Sequence, residues 1–472
     1  MLFNFLWASF ASCLDDQLEN KLVHQENKPL SLRHRQLLIP AISEYADPKK
    51  VSLKDDALVM LPDYIEPRPL QLLFLGGSNT YGARIENHMD AYPYQIGLPG
   101  YVDVAALNAT GTWFYSLCLE SIIERDFKGS TVPINMAPNE VDPNIIASEK
   151  NYDLIMLEFS VNGFENLEIL VERLRRRYPK AVIVLFELWT LASMLTVSGE
   201  TNKANLVAKT LRDAHPMHLE WNAKCDETGC GRVYAENIIE KHGGFSYKLP
   251  RNFVTPEDAV NSGWFTADWN HLTTRGHQAM ALKLTNFFLK RERLMKQLYF
   301  PNKPIGSYGV GDQCYNWHHN GGKVPNELQH SGFELLHLDR NDASWKHVLS
   351  LVAPTGYITF QSQFQIPVPL AIVYVSQRDG TTFPMVEISI NGKPSAVVNP
   401  NETNSRMTSK MLRHSQIGFA APGINMITFR LIQSTHSNDH FSVSAVLLCG
   451  TCVDHGNNLG EGEQAIHLLP QK

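Results

Sequence analysis

Three apolar runs set the limits on what this chain can fold into. "PLQLLFLGG" (residues 69–77), "YDLIMLEFSVNG" (152–163) and "KAVIVLFELW" (180–189) carry almost no polar residue through their centres. A strand of that kind has no face suited to water, so each run predicts a parallel strand covered on both sides. Between the second and third lies "FENLEILVERLRRRYP" (164–179), with leucine, isoleucine and valine at helical spacing and Pro179 as a stop. Strand, helix, strand in this order predicts a right-handed crossover and a parallel sheet with helices on its faces, in a domain over residues 67–298. A long helical pattern at 273–298 closes it.

Beyond a Gly- and Pro-rich linker, "YFPNKPIGSYGVGDQ", the hydrophobic period switches from helical to two. "GYITFQSQF", "LAIVYVSQ", "MVEISINGKPSAVV", "NMITFRLIQ" and "FSVSAVLL" alternate or run short and apolar, and Asn391-Gly392 between two runs is a hairpin signal. These predict an antiparallel β-sandwich over residues 305–455. A chain of 472 residues accommodates both domains, plus an aperiodic extension at 14–66 and a polar tail at 456–472 read as flexible.

Residues 1–13, "MLFNFLWASFASC", read as a signal peptide or the remnant of an anchor, although the basic n-region is missing. They predict the secretory pathway, either as a secreted or as a membrane-anchored protein. Seven cysteines are present, six if Cys13 is removed. "CDETGC" (225–230) and "CGTC" (449–452) fall in different predicted domains, which favours disulfides over a shared zinc site. Asn401-Glu-Thr and Asn108-Ala-Thr match the glycosylation pattern. The net charge of −6 excludes a basic footprint for nucleic acid. The one basic cluster, "RLRRRYPK" (173–180), reads as a solvated helix face.

Chemistry is concentrated where these strands end. "LFLGGSNTYG" turns from apolar to glycine to serine within a few residues, setting Ser78 at the exit of the first strand. A serine hydroxyl needs a base to take its proton, and "ADWNHLTTRGH" supplies His271 with Asp268 three residues before it. Read alone, that segment is a helix start that Thr273 or Thr274 could cap. Asn162 follows the second strand, where open α/β sheets bind ligands, and its amide could donate to an oxyanion; read alone it is a turn former beside Gly163. Gly111 opens a helical pattern at 107–123 and offers an unobstructed N–H. His277, inside the last helix, reads as a structural histidine, and His318-His319 would face opposite ways on a strand.

In the order Ser78, Gly111, Asn162, Asp268-x-x-His271, these blocks resemble the SGNH (GDSL-type) hydrolases over about 230 residues, from Leu70 to near Leu298. "CLESII" and "LIMLEFSVNG" look like a branch from algae and other microbial eukaryotes, many of which carry an appended β-domain. The resemblance implies a three-layer α/β/α, flavodoxin-like fold and ester hydrolysis through an acyl-enzyme, with no metal or other cofactor. Ser78 would be the nucleophile, His271 the base and Asp268 its orienter. The N–H groups of Ser78 and Gly111 and the amide of Asn162 would form the oxyanion hole. Two positions depart from the pattern: Gly77 stands where aspartate usually precedes the serine, and Gly163 stands where aspartate usually follows the asparagine. The expected substrate is an ester, on acylated polysaccharide or lipid, with glycan contact through the β-domain. The same serine could instead pass its acyl group to a sugar hydroxyl, or the protein could be a silent glycan binder.

Overall fold

The computed structural model describes residues 69–107, 110–126, 131–147, 151–160, 162–164, 166–188, 232–248, 263–266, 271–295, 313–317, 324–338, 346–376, 383–400, 411–433, 440–448 and 466–468. The N-terminal extension and Cys13, Cys225, Cys230, Cys449 and Cys452 lie outside these residues, as do the two glycosylation asparagines, His318 and His319.

The first domain runs β1 (Leu70–Gly76), α1 (Ser78–Tyr81), α2 (Tyr92–Gln95), β2 (Gly100–Ala106), α3 (Thr112–Asp126), β3 (Val132–Ile134) and α4 (Pro143–Ala147). It continues through β4 (Leu154–Glu158), α5 (Leu167–Arg177), β5 (Val182–Glu187), α6 (Arg232–Lys241), β6 (Phe245–Lys248) and α7 (Thr274–Met295). The sheet order is β3-β2-β1-β4-β5-β6. All neighbours are parallel except the short edge strand β3, which runs antiparallel to β2.

Alternation along each strand builds the three layers. Leu72, Phe74, Met156, Val184 and Phe186 pack with Met280, Leu284 and Phe288 of α7. Leu73, Leu75, Ile155, Leu157 and Leu185 pack on the other side with Phe114 and Ile122 of α3 and Leu170 and Leu174 of α5. β1 sits where the order reverses, with β2 on one side and β4 on the other. The carboxyl end of such a strand opens onto a crevice.

The basic cluster is a solvated face only in part: Arg176 and Arg177 are half-buried and Lys180 is exposed. Arg173 and Arg175 are buried, at 1% and 7% exposure. Arg173 donates to Leu117 O (3.3 Å) and Glu120 (3.0 Å), joining α5 to α3. Arg175 donates to His242 O (3.0 Å) and Ala181 O (2.6 Å). Long aliphatic stems let both side chains cross apolar ground to reach main-chain carbonyls, which a charge pattern cannot reveal.

The C-terminal domain comprises β7 (Gln313–Asn316), β8 (Gln329–Ser331), β9 (Phe333–Leu338), β10 (Lys346–Leu351), β11 (Thr355–Ser362) and β12 (Val368–Ser376). It continues with β13 (Met385–Ile390), β14 (Lys393–Val398), β15 (Met411–Ala420), β16 (Gly423–Gln433), β17 (Ser442–Leu448) and β18 (Ile466–Leu468). One sheet has the order β15-β12-β17-β10-β9, with β7 also on β17; the other is β18-β14-β13-β16-β11-β8. All pairs are antiparallel, and the two inner faces share one apolar core. Asn391 (φ 51°) and Gly392 (φ 79°) make the tight hairpin between β13 and β14. The tail read as flexible returns as β18, because β14 would otherwise leave its edge unpaired.

The two domains share a core. Val348, Val373, Val375, Leu412, Ala445 and Leu447 from the first sheet of the sandwich belong to the same cluster as Phe114 and Leu119 of α3. Cys118 of α3 is disulfide-bonded to Cys314 of β7, 196 residues away. Its two partners lie in different domains and meet only through the fold.

Candidate active site

The two glycines that end β1 are closely approached by side chains of other segments. A Cβ at Gly76 would lie 2.1 Å from Thr80 Oγ1, and one at Gly77 would lie 1.8 Å from Asn162 Oδ1. The carboxamide of Asn162 therefore leans over the residue before Ser78. A side chain at position 77 would displace that carboxamide.

Ser78 opens the one-turn helix α1, so its N–H has no carbonyl one turn back to bond. Gly82, at φ 82°, ends the turn by donating to Ser78 O at 3.0 Å. The residue Ser78 is buried, 5% exposed, as are Asn79 and Thr80.

Asn162 sits in a tight turn after β4, its N–H and that of Gly163 both bonded to Phe159 O at 2.9 Å. Gly163 has φ 103°, a conformation that side chains of L-residues rarely adopt. An aspartate here would be strained. The carbonyl of Gly163 accepts from Thr112 N (3.2 Å) and Thr112 Oγ1 (3.4 Å), fastening the start of α3, and with it Gly111, to the Asn162 turn. Tyr115, one turn further along α3, donates its hydroxyl to Gly76 O at 2.9 Å.

His271 belongs to a small antiparallel bridge. Thr266 N donates to His271 O and Thr273 N to Trp264 O, both at 2.9 Å, with Phe265 opposite Leu272. Thr273 caps α7, its Oγ1 accepting from Gly276 N at 3.1 Å, so the cap requires neither His271 nor Asp268. Leu272 N donates to Asn79 Oδ1 at 3.0 Å, which ties the neighbour of His271 to the neighbour of Ser78 across 193 residues. Asp268 lies outside the described residues.

A buried polar chain runs behind these residues, and sequence reading missed it. Thr80 Oγ1 donates to Glu158 Oε2 (3.1 Å) and accepts from the Tyr92 hydroxyl (2.8 Å). Ser160 N donates to Glu158 Oε1 at 3.3 Å, and Tyr92 N donates to His277 Nδ1 at 3.2 Å. Burial raises the Glu158 carboxyl to about 7. Burial first, then the nearby His271, lowers His277 to about 3, so its ring is neutral, with the proton on Nε2. The available signal was a glutamate closing an otherwise apolar strand.

Among the described residues one cluster has the donors for a metal: Glu168 and Glu172 of α5 with His242, whose ligand atoms lie within 4.8 Å of one another. The Lys241 ammonium already bonds Glu168, and His242 Nε2 lies 3.1 Å from the same carboxylate oxygen. The cluster is an ion-pair clasp between α5 and the end of α6, remote in the chain from the serine.

No family model matches the chain, and no curated protein matches it. Among solved structures it is similar to a two-domain esterase (CEX) active on acetylated mannans, co-crystallised with mannopentaose: 16% identity, TM-score 0.46, covering 81% of this chain and 91% of that one. A second structure of a two-domain esterase (CEX) active on acetylated mannans gives 15% identity, TM-score 0.47 and coverage of 81% and 92%. A family 35 carbohydrate binding module from Clostridium thermocellum is similar over 29% of this chain and 96% of its own, at 13% identity and TM-score 0.21. At such identities the fold rests on the strands and helices described above: an α/β/α domain carrying a C-terminal antiparallel β-sandwich.

Proposed function

We propose that the protein is a serine esterase cleaving acyl esters linked to carbohydrate or lipid through an acyl-enzyme at Ser78. The observation that carries this reading is the pair of ties Leu272 N to Asn79 Oδ1 and Thr112 to Gly163 O, with Asn162 over Gly77. Together they gather the segments bearing Ser78, Gly111, Asn162 and His271 at one edge of the sheet.

In this reading Ser78 Oγ bonds to the acyl carbon while His271 takes its proton. The carbonyl electrons move onto oxygen, and the resulting oxyanion is held by the N–H groups of Ser78 and Gly111 and the amide of Asn162. One such donor is worth about 3–4 kcal/mol of barrier. Collapse expels the alcohol, which receives its proton from His271. Water then repeats the sequence and frees the acid. Asp268, by resemblance, orients His271.

A fluorophosphonate probe should label the protein at Ser78, and Ser78→Ala should abolish labelling. His271→Ala should cut turnover of a short-chain aryl ester by about 10²–10⁴-fold. A panel containing acetylated polysaccharides and lipid esters then identifies the substrate. Folded protein that neither labels nor hydrolyses any ester of the panel overturns the proposal.

A further inference from the structure

Glu158 is an expensive residue to keep. It is 1% exposed, and a carboxyl group taken out of water costs several kcal/mol unless its oxygens are well satisfied. Among the described residues, the groups around its carboxyl are hydroxyls and an amide rather than a cation: Thr80 from α1, Ser160 from the turn after β4 and Tyr92 from α2. A fold that needed only packing there would use leucine, as β4 does at Leu157.

What Glu158 touches explains its retention. Its main-chain carbonyl accepts from Gly77 N at 3.1 Å, and its side chain accepts from Thr80. It therefore grips the turn one residue before Ser78 and two residues after it. Thr80 is confined in turn, since its side chain fills the space left by the missing Cβ of Gly76. The Tyr92 hydroxyl donates to Thr80, while the Tyr92 ring stacks on His277 with centroids 6.0 Å apart and its N–H donates to His277 Nδ1. His277 stands on the first turn of α7, six residues beyond His271.

We propose that Glu158 is a positioning residue that, through Thr80, Tyr92 and His277, holds the Ser78 turn in register with the segment bearing His271. The inference rests on the reading of Ser78 as the nucleophile. It assigns no contact with substrate to Glu158. Its effect is on the angle and distance at which Ser78 meets the ester, and a displacement of about 1 Å at a reacting atom can cost about 100-fold in rate.

Shape-preserving variants test it. Glu158→Gln keeps the volume but sets an NH₂ against either the Thr80 hydroxyl or Ser160 N–H; Thr80→Val removes the hydroxyl, and Thr80→Ser restores it. Measured by fluorophosphonate labelling, with near-UV circular dichroism to check the fold, Glu158→Gln and Thr80→Val should each slow inactivation by about 10- to 100-fold. The concentration for half-saturation should stay unchanged, and Thr80→Ser should label near the wild-type rate. Because the two residues act in one chain, the double variant should lose no more than the worse single one. Multiplying losses, variants that label at the wild-type rate, or losses confined to half-saturation overturn the inference while leaving Ser78 as nucleophile. Wild-type protein that resists labelling overturns the underlying reading as well. Should Glu158→Gln fail to fold, the contrast between Thr80→Val and Thr80→Ser still decides the matter.

Discussion

The two sheets of the sandwich have the same architecture and opposite surroundings. All seven residues of β17 are buried, because one face meets the other sheet and the opposite face meets α3. In β11 and β13 burial alternates strictly or nearly so, and the outer face of their sheet exposes Tyr357, Ile424, Met426 and Ile432. One sheet is therefore part of the α/β domain's core, whereas the other closes the sandwich and faces outward. The joined sheet bears on the helix whose first residues flank Gly111. Trp113 stacks on His414 of β15 with centroids 4.8 Å apart, and Asn316 of β7 donates to Ser121 of α3. The sandwich thus backs the wall of the candidate site, whatever its outer face binds.

The comparison breaks most readily at the shared core. Leu447→Ala, on the joined face, should cost about 2–5 kcal/mol in denaturant unfolding. The loss should be seen equally by probes of both domains; unfolding of the sandwich alone would show that the core is not shared. Removing the Cys118–Cys314 bond by a double change to alanine should cost a similar or slightly smaller amount, about 2–4 kcal/mol, because the bond closes a loop of 196 residues in the unfolded chain. An unchanged midpoint under oxidising conditions would remove the disulfide from the account.

A smaller effect separates two histidines. Burial lowers His414, on the joined sheet, to about 4 and shifts His330, on the outer sheet, only in the same direction. A histidine held neutral in the fold is protonated first in the unfolded chain, so stability present above pH 6.5 is lost as pH falls toward about 4. His414→Phe should flatten that slope in acid titrations of unfolding, and His330→Phe should leave most of it. Equal slopes in both variants would contradict the difference in surroundings. Least of all, Ile424→Ala on the outer face should stay within about 0.5 kcal/mol of wild type. A larger loss would mean that this face is covered by something in solution.

Much of the fold was legible. β1, β4 and β5 announced themselves as uninterrupted apolar runs, α5 and α7 as helical periods, and the β13–β14 hairpin as Asn391-Gly392. β15 escaped notice because Arg413, His414 and Gln416 interrupt its pattern, and a register shift between Leu370 and Ala371 of β12 disturbs its pairing. Ser78 and Asn162 drew notice because each stands just beyond a strand end. Their supports did not. Thr80, Tyr92 and Glu158 look like ordinary residues of a turn, a short helix and a strand until the fold brings them within hydrogen-bonding distance.

By itself the sequence determined the layers, since an apolar run without a polar face has no stable place except between two coverings. It also marked the strand ends at Gly76 and Glu158, because glycines and breaks in an apolar run are local properties. Only the tertiary structure decided what crowds Gly77, which arginines are buried, and that Cys118 meets Cys314. Each of those depends on what a distant segment places against the residue, and excluded volume across a fold leaves no mark in the neighbouring letters.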